Sequence, residues 1–382
     1  MSTPPTASGT LALTRALVRR PSITPDDAGC QALLAERLTA CGFACETLQF
    51  GEVTNLWARF GMGRPLFAFV GHTDVVPTGP VERWRYPPFD AALQDGLLFG
   101  RGVADMKGSV AAFVTAVERY LAAGSTPQGS LALLLTSDEE GPSVDGVARV
   151  ARVLEERSEV PDWCLVGEPS SEHRIGDTVK IGRRGSLNAR LRVQGVQGHV
   201  AYPHKARNPI HALAPVLAQL AATEWDRGNE RFPATTFQVS NIQAGTGATN
   251  VIPGEVEVLF NFRFSTEVTS AELEERTEAI LRAHALTFEL EWTRSAEPFL
   301  TREGRLTEAL SRAVKDVTGN APELSTAGGT SDGRFLAPLG SQIVELGPLN
   351  DTIHQIDERL PAADLDTLSS IYERLLGTLL SV

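Results

Sequence analysis

Long apolar segments are missing from this sequence of 382 residues. No stretch approaches the roughly 18 consecutive apolar residues that a membrane-spanning helix needs. The N-terminal region carries Arg15, Arg19 and Arg20 without the apolar segment that follows such charges in a secretory signal peptide. We therefore expect a cytoplasmic protein that does not associate with a membrane.

Runs of basic residues are also missing. Lysine and arginine total 35 against 47 aspartates and glutamates, which gives a net charge of −12 at pH 7. No group of lysines and arginines is long enough to neutralise a row of phosphates. We therefore expect no nucleic-acid partner.

Cysteine is scarce, with four residues at positions 30, 41, 45 and 164, and none of them forms a C-x-x-C pair. Most of them lie in apolar, helix-like or strand-like contexts, which favours buried free thiols over a metal or redox role. A metal site in this chain would therefore draw its ligands from histidine, aspartate and glutamate.

Apolar residues are plentiful, at 42% of the chain, which excludes disordered and fibrous proteins. Two amphipathic helices are predicted within 8–41, and continuous apolar runs at 66–70, 131–135 and 163–166 predict strands buried on both faces. Helical spacing over 110–121 separates the first two of these strands. Strands that alternate with helices indicate a layered α/β domain with helices on the faces of the sheet.

In the middle of the chain, the apolar spacing changes to strict alternation. The predicted order over 186–292 is β-α-β-β-α-β, which is typical of a ferredoxin-like α+β unit. A short apolar strand at 343–346 then resumes the α/β style. We therefore predict that a smaller domain, 185–297, is inserted into a larger one built from 1–184 and 298–382.

Five short motifs place acidic and histidine residues after predicted strands or in turns, where sites form in α/β sheets. Each motif has a plain structural alternative when it is taken singly: a satisfied histidine, an N-cap at Asp105, or a solvated acidic turn. Together they offer two imidazoles and three carboxylates, a mix that suits two divalent ions sharing one carboxylate. The candidate ligands are His72, Asp105, Glu140, Glu168 and His354.

These motifs resemble those of the dinuclear zinc metallohydrolases, a family that includes carboxypeptidase G2, aminoacylase and acetylornithine deacetylase. The resemblance covers nearly the whole chain. Three longer segments, at 180–186, 328–335 and 345–354, are similar to the succinyl-diaminopimelate desuccinylases within this family. The resemblance implies an α/β/α catalytic, metal-binding domain with an inserted ferredoxin-like dimerisation or lid domain.

The activity implied by this resemblance is hydrolysis of N-succinyl-LL-2,6-diaminopimelate to succinate and LL-2,6-diaminopimelate. This step belongs to lysine and cell-wall precursor biosynthesis. The cofactors would be two Zn²⁺ ions per subunit, with Co²⁺ able to occupy one site. Asp105 would bridge the two ions, His72 and Glu168 would complete one site, and Glu140 and His354 the other.

The same resemblance assigns catalytic roles outside the ligand set. Glu139 would be the general base that takes a proton from the attacking water and gives it to the leaving amine. Asp74 would orient His72. His199 would reach across the interface of a homodimer and stabilise the oxyanion in the partner's site.

An anionic N-acyl amino-acid substrate needs local positive charge on a protein whose net charge is negative. The resemblance implies that one arginine of segment 180–186 binds a substrate carboxylate, and both arginines there remain candidates. A surface salt bridge is the alternative for each arginine. The candidate substrate contacts are Arg183, Arg184, Ser186, Tyr202, Asn250, Arg263, Thr330, Arg334 and Asn350.

Two other functions stay open at this point. An acetylornithine deacetylase or aminoacylase would share the metals and the fold, but its acetyl group has no carboxylate for the arginines to bind. A non-catalytic binding protein could keep the fold, although it would have no use for Glu139 beside a metal site.

Overall fold

The computed structural model of the protein describes residues 9–380. The chain divides into two compact units. The first unit extends to Gly182 and also contains Leu300–Ser325 and the chain from Ser331 onward, whereas the second comprises Arg183–Phe299 and Thr326–Thr330. Within the described residues, no helix combines the length and the apolar character that crossing a membrane requires.

Helices and strands alternate through most of the described chain. The helices are α1 (Gly9–Val18), α2 (Cys30–Ala40), α3 (Gly108–Ala122), α4 (Val147–Glu156), α5 (Pro209–Ala222), α6 (Ser270–Ala283), α7 (Arg305–Thr318), α8 (Gly333–Leu336) and α9 (Ala362–Leu379). The strands are β1 (Ala44–Phe50), β2 (Val53–Phe60), β3 (Leu66–His72), β4 (Ala92–Gln94), β5 (Leu97–Phe99), β6 (Ser130–Thr136), β7 (Trp163–Val166), β8 (Thr178–Lys180), β9 (Gly182–Arg183), β10 (Gly185–Gln194), β11 (Gly198–His199), β12 (Thr236–Ala244), β13 (Val251–Ile252), β14 (Glu255–Phe264), β15 (Phe288–Ala296), β16 (Phe299–Leu300), β17 (Glu323–Ser325), β18 (Gln342–Glu345) and β19 (Arg359–Pro361).

The first unit is built on an eight-stranded sheet with the order β1-β2-β6-β3-β7-β18-β8-β17. Its centre is parallel, because β3 pairs in parallel with β6 and β7, and β18 pairs in parallel with β7. Every residue of β3 and β6 is buried, as their continuous apolar runs predict for strands covered on both faces. Residues of α1, α2, α3, α7 and α9 share one apolar core with this sheet.

The parallel strands end at one edge of this sheet. His72, the last residue of β3, lies beside Thr136, the last residue of β6. Val166 at the end of β7 lies beside Val70. The acidic motifs that follow β6 and β7 therefore emerge close to His72, at the edge where sites form in parallel sheets.

The second unit contains a four-stranded antiparallel sheet with the order β12-β14-β10-β15. Alternate residues of β10 and β14 are buried in one core with apolar residues of α5 and α6, as expected for strands with one covered face. Asn208 caps α5, and Thr269 and Glu272 form a capping box for α6. The order β10-α5-β12-β14-α6-β15 is the predicted ferredoxin-like one, and the predicted fold class is confirmed.

The hairpin of β1 and β2 is not apparent from the sequence pattern. Every residue of β1 is exposed or half-buried, whereas β2 is buried at nearly consecutive positions, so neither strand shows regular alternation of buried and exposed residues. The strands β4, β5 and β19 form a separate sheet and have three residues each. Strands this short contain too few residues for a period to be recognised.

Candidate metal centre

Asp105 lies between two histidines. His72 is fully buried, and its Nε2 lies 3.2 Å from Asp105 Oδ1. The other oxygen of the same carboxylate, Oδ2, lies 3.2 Å from His354 Nε2. That nitrogen is also 3.0 Å from Glu140 Oε1. Each oxygen of this carboxylate therefore faces a different imidazole. This is the placement expected of a ligand that two cations share.

Two groups of ligand atoms meet at His72. Atoms of His72, Asp105 and Glu140 lie within 4.8 Å of one another, and so do atoms of His72, Glu139 and Glu168. Glu168 Oε1 lies 3.8 Å from His72 Nε2. This oxygen is buried and, among the described residues, has no hydrogen-bond partner. A buried polar atom without a partner is costly, and a cation at this position would provide one.

Asp74 connects the end of β3 to the acidic motif after β6. His72 Nδ1 lies 2.9 Å from the backbone carbonyl of Asp74 and 3.7 Å from its Oδ1, so the carbonyl is the nearer acceptor. The Asp74 carboxylate accepts hydrogen bonds from the backbone N–H groups of Glu139 and Glu140 at 3.4 and 3.1 Å. These contacts hold His72 with its Nε2 directed at Asp105.

The acids at 138–140 differ in their surroundings. The carboxylate of Asp138 accepts hydrogen bonds from the backbone N–H groups of Ser143, Val144 and Asp145 at 2.9 to 3.2 Å. Asp138 therefore stabilises the turn that follows. The two glutamates at 139 and 140 supply atoms to the groups around His72 instead.

Two glycines make room for the residue that follows Asp105. A Cβ atom at Gly71 or at Gly167 would lie 2.5 Å from Met106 Cε. Met106 is fully buried and packs between the ends of β3 and β7. At Gly167 a Cβ would also lie 2.5 Å from Phe69 Cζ and 2.8 Å from Ser109 Cβ, so a larger residue there would displace packed side chains.

Burial and nearby negative charge shift the pKa values of this cluster. Burial, and then the nearby Asp332, raise the pKa of Glu139 to about 8. Burial and the charge of Asp105 raise the pKa of Glu168 well above its ordinary value. Hydrogen bonds to Asp105 and Glu140 raise the pKa of His354 to about 10. Each of these shifts favours the protonated form, as expected where several carboxylates lie close together out of contact with water.

The donor set fits divalent metal ions. Imidazole nitrogen and carboxylate oxygen are ligands that Zn²⁺, Co²⁺ and Mn²⁺ all accept. The structure brings together the five candidate ligands with Asp74 and Glu139, all within the first unit. Asp105 is not an N-cap, because α3 has no side-chain cap.

Asp332 is a buried acid near the cluster that sequence reasoning missed. It is 2% exposed, and neither of its carboxylate oxygens has a hydrogen-bond partner among the described residues. Burial raises its pKa to about 7, against the opposing charge of Arg334. The segment 328–335 was recognisable as a motif, but nothing in its spacing distinguishes this aspartate from a surface residue.

The candidate substrate contacts near β10 lie in the second unit. Ser186 and Arg263 are directly opposite each other on paired strands, so their side chains share a face of the sheet. Arg183 is buried, and its Nη1 donates to the Ala327 carbonyl at 3.2 Å. Arg184 is half-buried.

His199, Tyr202 and Asn250 form an exposed group in the second unit. His199 in β11 pairs with Val251 in β13, and the Val200 N–H donates to the Asn250 carbonyl at 3.1 Å. The rings of His199 and Tyr202 are 5.8 Å apart between centroids. These residues therefore present imidazole, phenol and amide groups together at the surface of this unit.

The three remaining candidate contacts are half-buried. Thr330 belongs to the second unit, whereas Arg334 and Asn350 belong to the first. The Arg334 guanidinium lies 4.6 Å from the centre of the Phe335 ring. The Asn350 N–H donates to the Ser171 carbonyl at 3.1 Å, which connects the loop after β18 with the loop after β7.

Known proteins resemble this chain along almost its full length. The model of peptidase family M20/M25/M40 matches residues 68–378, a span that contains every candidate metal ligand. The succinyl-diaminopimelate desuccinylase of Alkalilimnicola ehrlichii is 64% identical over 98% of this chain and 100% of its own length. The protein of the same name from Bordetella petrii is 60% identical over 98% of each chain. The predicted family resemblance is confirmed.

Solved structures share the fold at much lower identity. An M20 family metallo-carboxypeptidase from Sulfolobus solfataricus has a TM-score of 0.82 at 17% identity, covering 97% of this chain and 99% of that chain. A dinuclear metal-binding peptidase of the M20 family from Bacillus subtilis has a TM-score of 0.71 at 16% identity, covering 97% of each chain. At such identities the likeness establishes the fold alone.

Proposed function

This chain belongs to peptidase family M20/M25/M40, and from that premise we propose that it hydrolyses the amide of N-succinyl-LL-2,6-diaminopimelate. The products are succinate and LL-2,6-diaminopimelate, a precursor of lysine and of the cell wall. The observation that carries the proposal is 57–64% identity over 98% of the chain to relatives named succinyl-diaminopimelate desuccinylase. The enzyme is a hydrolase of small molecules.

Glu139 is the residue best suited to move the proton. Its carboxyl lies among the ligand atoms around His72, and burial together with Asp332 raises its pKa to about 8. A carboxylate beside the attacking water can accept its proton, and the carboxylic acid so formed can release that proton to the amine. Glu139 takes a proton from the attacking water and delivers it to the nitrogen of the leaving amine.

We propose Zn²⁺ at both metal positions, with Co²⁺ able to occupy one. His72 and Glu168 would hold one ion, Glu140 and His354 would hold the other, and Asp105 would contribute to both positions. The chemistry supplied there would be polarisation of the amide carbonyl and a lowered pKa for water. The contacts of the two Asp105 oxygens with different imidazoles support this division of the ligands.

Arginines provide the counter-charge for the substrate carboxylates. Arginine binds a carboxylate through two parallel hydrogen bonds, and the pairing of Ser186 with Arg263 on adjacent strands supports an anion site on this face. Either Arg183 or Arg184 contributes a second positive group. The other proposed contacts are Tyr202, Asn250, Thr330, Arg334 and Asn350.

The functional form that we propose is a homodimer in which His199 of one protomer stabilises the oxyanion in its partner's site. The exposure of His199 and Tyr202 supports this arrangement. So does β12, an edge strand whose Ile242 is 55% exposed, because such an edge can pair with a second copy of the chain. Mixed dimers of His199→Ala and Glu139→Ala chains should recover part of the activity, and verified heterodimers without recovery would contradict the arrangement.

A hydrolysis assay tests the substrate directly. The zinc-loaded enzyme should hydrolyse N-succinyl-LL-2,6-diaminopimelate, leave N-acetylornithine intact and lose activity with a chelator. Preference for the acetyl substrate would keep the metal chemistry and refute the anion site. Inactivity towards both substrates would favour a binding protein.

A further inference from the structure

Arg101 and Glu358 form a buried ion pair beside the metal centre without being candidate ligands. Arg101 Nη1 lies 2.7 Å from Glu358 Oε2, and the two side chains are 2% and 1% exposed. Arg101 begins the segment that leads to Asp105, and Glu358 ends the segment that begins at His354. Two ligand-bearing segments that are distant in sequence therefore meet at this pair.

Glu358 holds the backbone of the Asp105 segment. Its Oε2 accepts a hydrogen bond from the Gly102 N–H at 2.9 Å, and its Oε1 accepts from the N–H groups of Ala104 and Asp105 at 3.0 and 3.2 Å. The same Oε2 also accepts from Arg101. A carboxylate with donors on both oxygens admits one orientation of the segment, and the Asp105 N–H is one of those donors.

Arg101 holds the backbone of the His354 segment. Its Nη2 donates to the His354 carbonyl at 3.4 Å, and its Nη1 donates to the Gln355 carbonyl at 3.2 Å. His354 has a φ of 60°, a conformation that few residues other than glycine adopt. The guanidinium also lies 5.2 Å from the centre of the Trp84 ring, which restricts its orientation further.

From these contacts we infer that Arg101 and Glu358 are positioning residues that fix Asp105 relative to His354. In this way they set the affinity of the metal position that Asp105 and His354 share. The inference rests on the proposed metal centre, but it concerns metal binding rather than turnover. Residues that orient metal ligands typically change metal affinity by about 10- to 100-fold when they are replaced.

Titration of the metal-free protein with Zn²⁺ tests the inference. Glu358→Gln replaces one acceptor oxygen with an NH₂ group, which is itself a donor. In one orientation of the amide this group faces the Gly102 N–H and Arg101, and in the other it faces the N–H groups of Ala104 and Asp105, so hydrogen bonds are lost in either case. We expect one of the two bound ions to bind about 10- to 100-fold more weakly. The visible spectrum of bound Co²⁺ should change as well, because it reports the geometry of the ligands. His354→Ala gives the reference for loss of this position.

The ion pair of Arg59 and Glu159 supplies a matched control in the same unit. Its atoms are 2.8 Å apart, and its side chains are 11% and 22% exposed. Glu159→Gln should leave Zn²⁺ affinity and the Co²⁺ spectrum unchanged. The unfolding midpoint of each metal-free variant separates a loss of stability from a loss of affinity.

Wild-type Zn²⁺ affinity and an unchanged Co²⁺ spectrum in folded Glu358→Gln would overturn the inference. If Glu358→Gln does not fold, Zn²⁺ titration of Arg101→Lys tests the inference instead. Lysine keeps the positive charge but cannot form the same planar set of hydrogen bonds. Wild-type affinity in Arg101→Lys would overturn the inference equally. Wild-type protein that binds two ions but leaves the succinyl substrate intact would refute the proposed function alone, and wild-type protein that binds no metal would refute both.

Discussion

Charged side chains have opposite surroundings in two regions of the molecule. One region is the edge of the first unit's sheet around His72, and the other is the exposed face of the second unit's four-stranded sheet, called the open face below. Around His72, carboxylates are crowded: two aspartates are buried and three glutamates are half-buried, and Glu168 Oε1 has no hydrogen-bond partner among the described residues. On the open face, Arg192 lies 3.3 Å from Glu257 and 3.1 Å from Glu289. Those three side chains are 26% to 58% exposed.

This contrast separates charges that serve solubility from charges that serve chemistry. Exposed ion pairs are screened by water and contribute little to stability. Buried carboxylates without partners are costly, and a fold that keeps them uses them for a ligand. The first unit therefore contains the candidate metal site, whereas exposed ion pairs such as Arg192 with Glu257 on the second unit suit solubility.

Replacing Glu139 should have the largest effect. Glu139→Ala removes the proton carrier and should lower kcat by roughly 10²- to 10⁴-fold, while the metal content stays at the wild-type value. Steady-state kinetics and metal analysis of the same preparation check both statements. Near-normal turnover would remove Glu139 from its proposed role.

Replacing Arg263 sharpens the contrast within the second unit. Arg263→Ala should raise KM for the succinyl substrate by roughly 10- to 100-fold, because a hydrogen bond to a charged group contributes about 1.5–3 kcal/mol. Arg192→Ala is the matched control and should leave KM unchanged. Equal effects of the two substitutions would remove Arg263 from its proposed role as a substrate contact.

Metal binding should stabilise the first unit. At a Zn²⁺ concentration about 100-fold above Kd, the free energy of unfolding should rise by about 2.7 kcal/mol. Thermal unfolding with and without chelator measures the change, and Asp105→Asn should reduce it. An equal rise in Asp105→Asn would place the stabilising ion elsewhere.

The smallest effect is expected at Asp226, a carboxylate of the second unit that accepts hydrogen bonds from its neighbours. Burial alone would raise the pKa of Asp226, but hydrogen bonds from Thr235 and Gly228 lower it. A lowered pKa in the folded state gives stability that is present above the unfolded pKa of about 3.9 and is lost as the pH falls. The urea midpoint of wild type should therefore exceed that of Asp226→Ala at pH 7, with a difference that shrinks below about pH 4. A difference independent of pH would contradict the assigned cause.

Much of the site could be recognised from the chain because its ligands follow buried strands. The apolar runs before His72 and Glu140 predict adjacent strands, and parallel strands end at a common edge. The contacts of Asp332 and Glu358 could not be predicted in this way. Asp332 affects Glu139, and Glu358 binds the backbone of Asp105, across separations that no periodic pattern encodes.

The sequence by itself determined the α/β architecture, the ferredoxin-like unit and the set of metal-ligand candidates, because periodicity and motif chemistry are local properties. Only the tertiary structure decided which oxygen of Asp105 meets which histidine. It also decided that Asp138 stabilises a turn while its neighbours Glu139 and Glu140 join the ligand cluster. The physical reason is that burial and hydrogen-bond partners, which set the charge state of each acid, come from segments far apart in the chain.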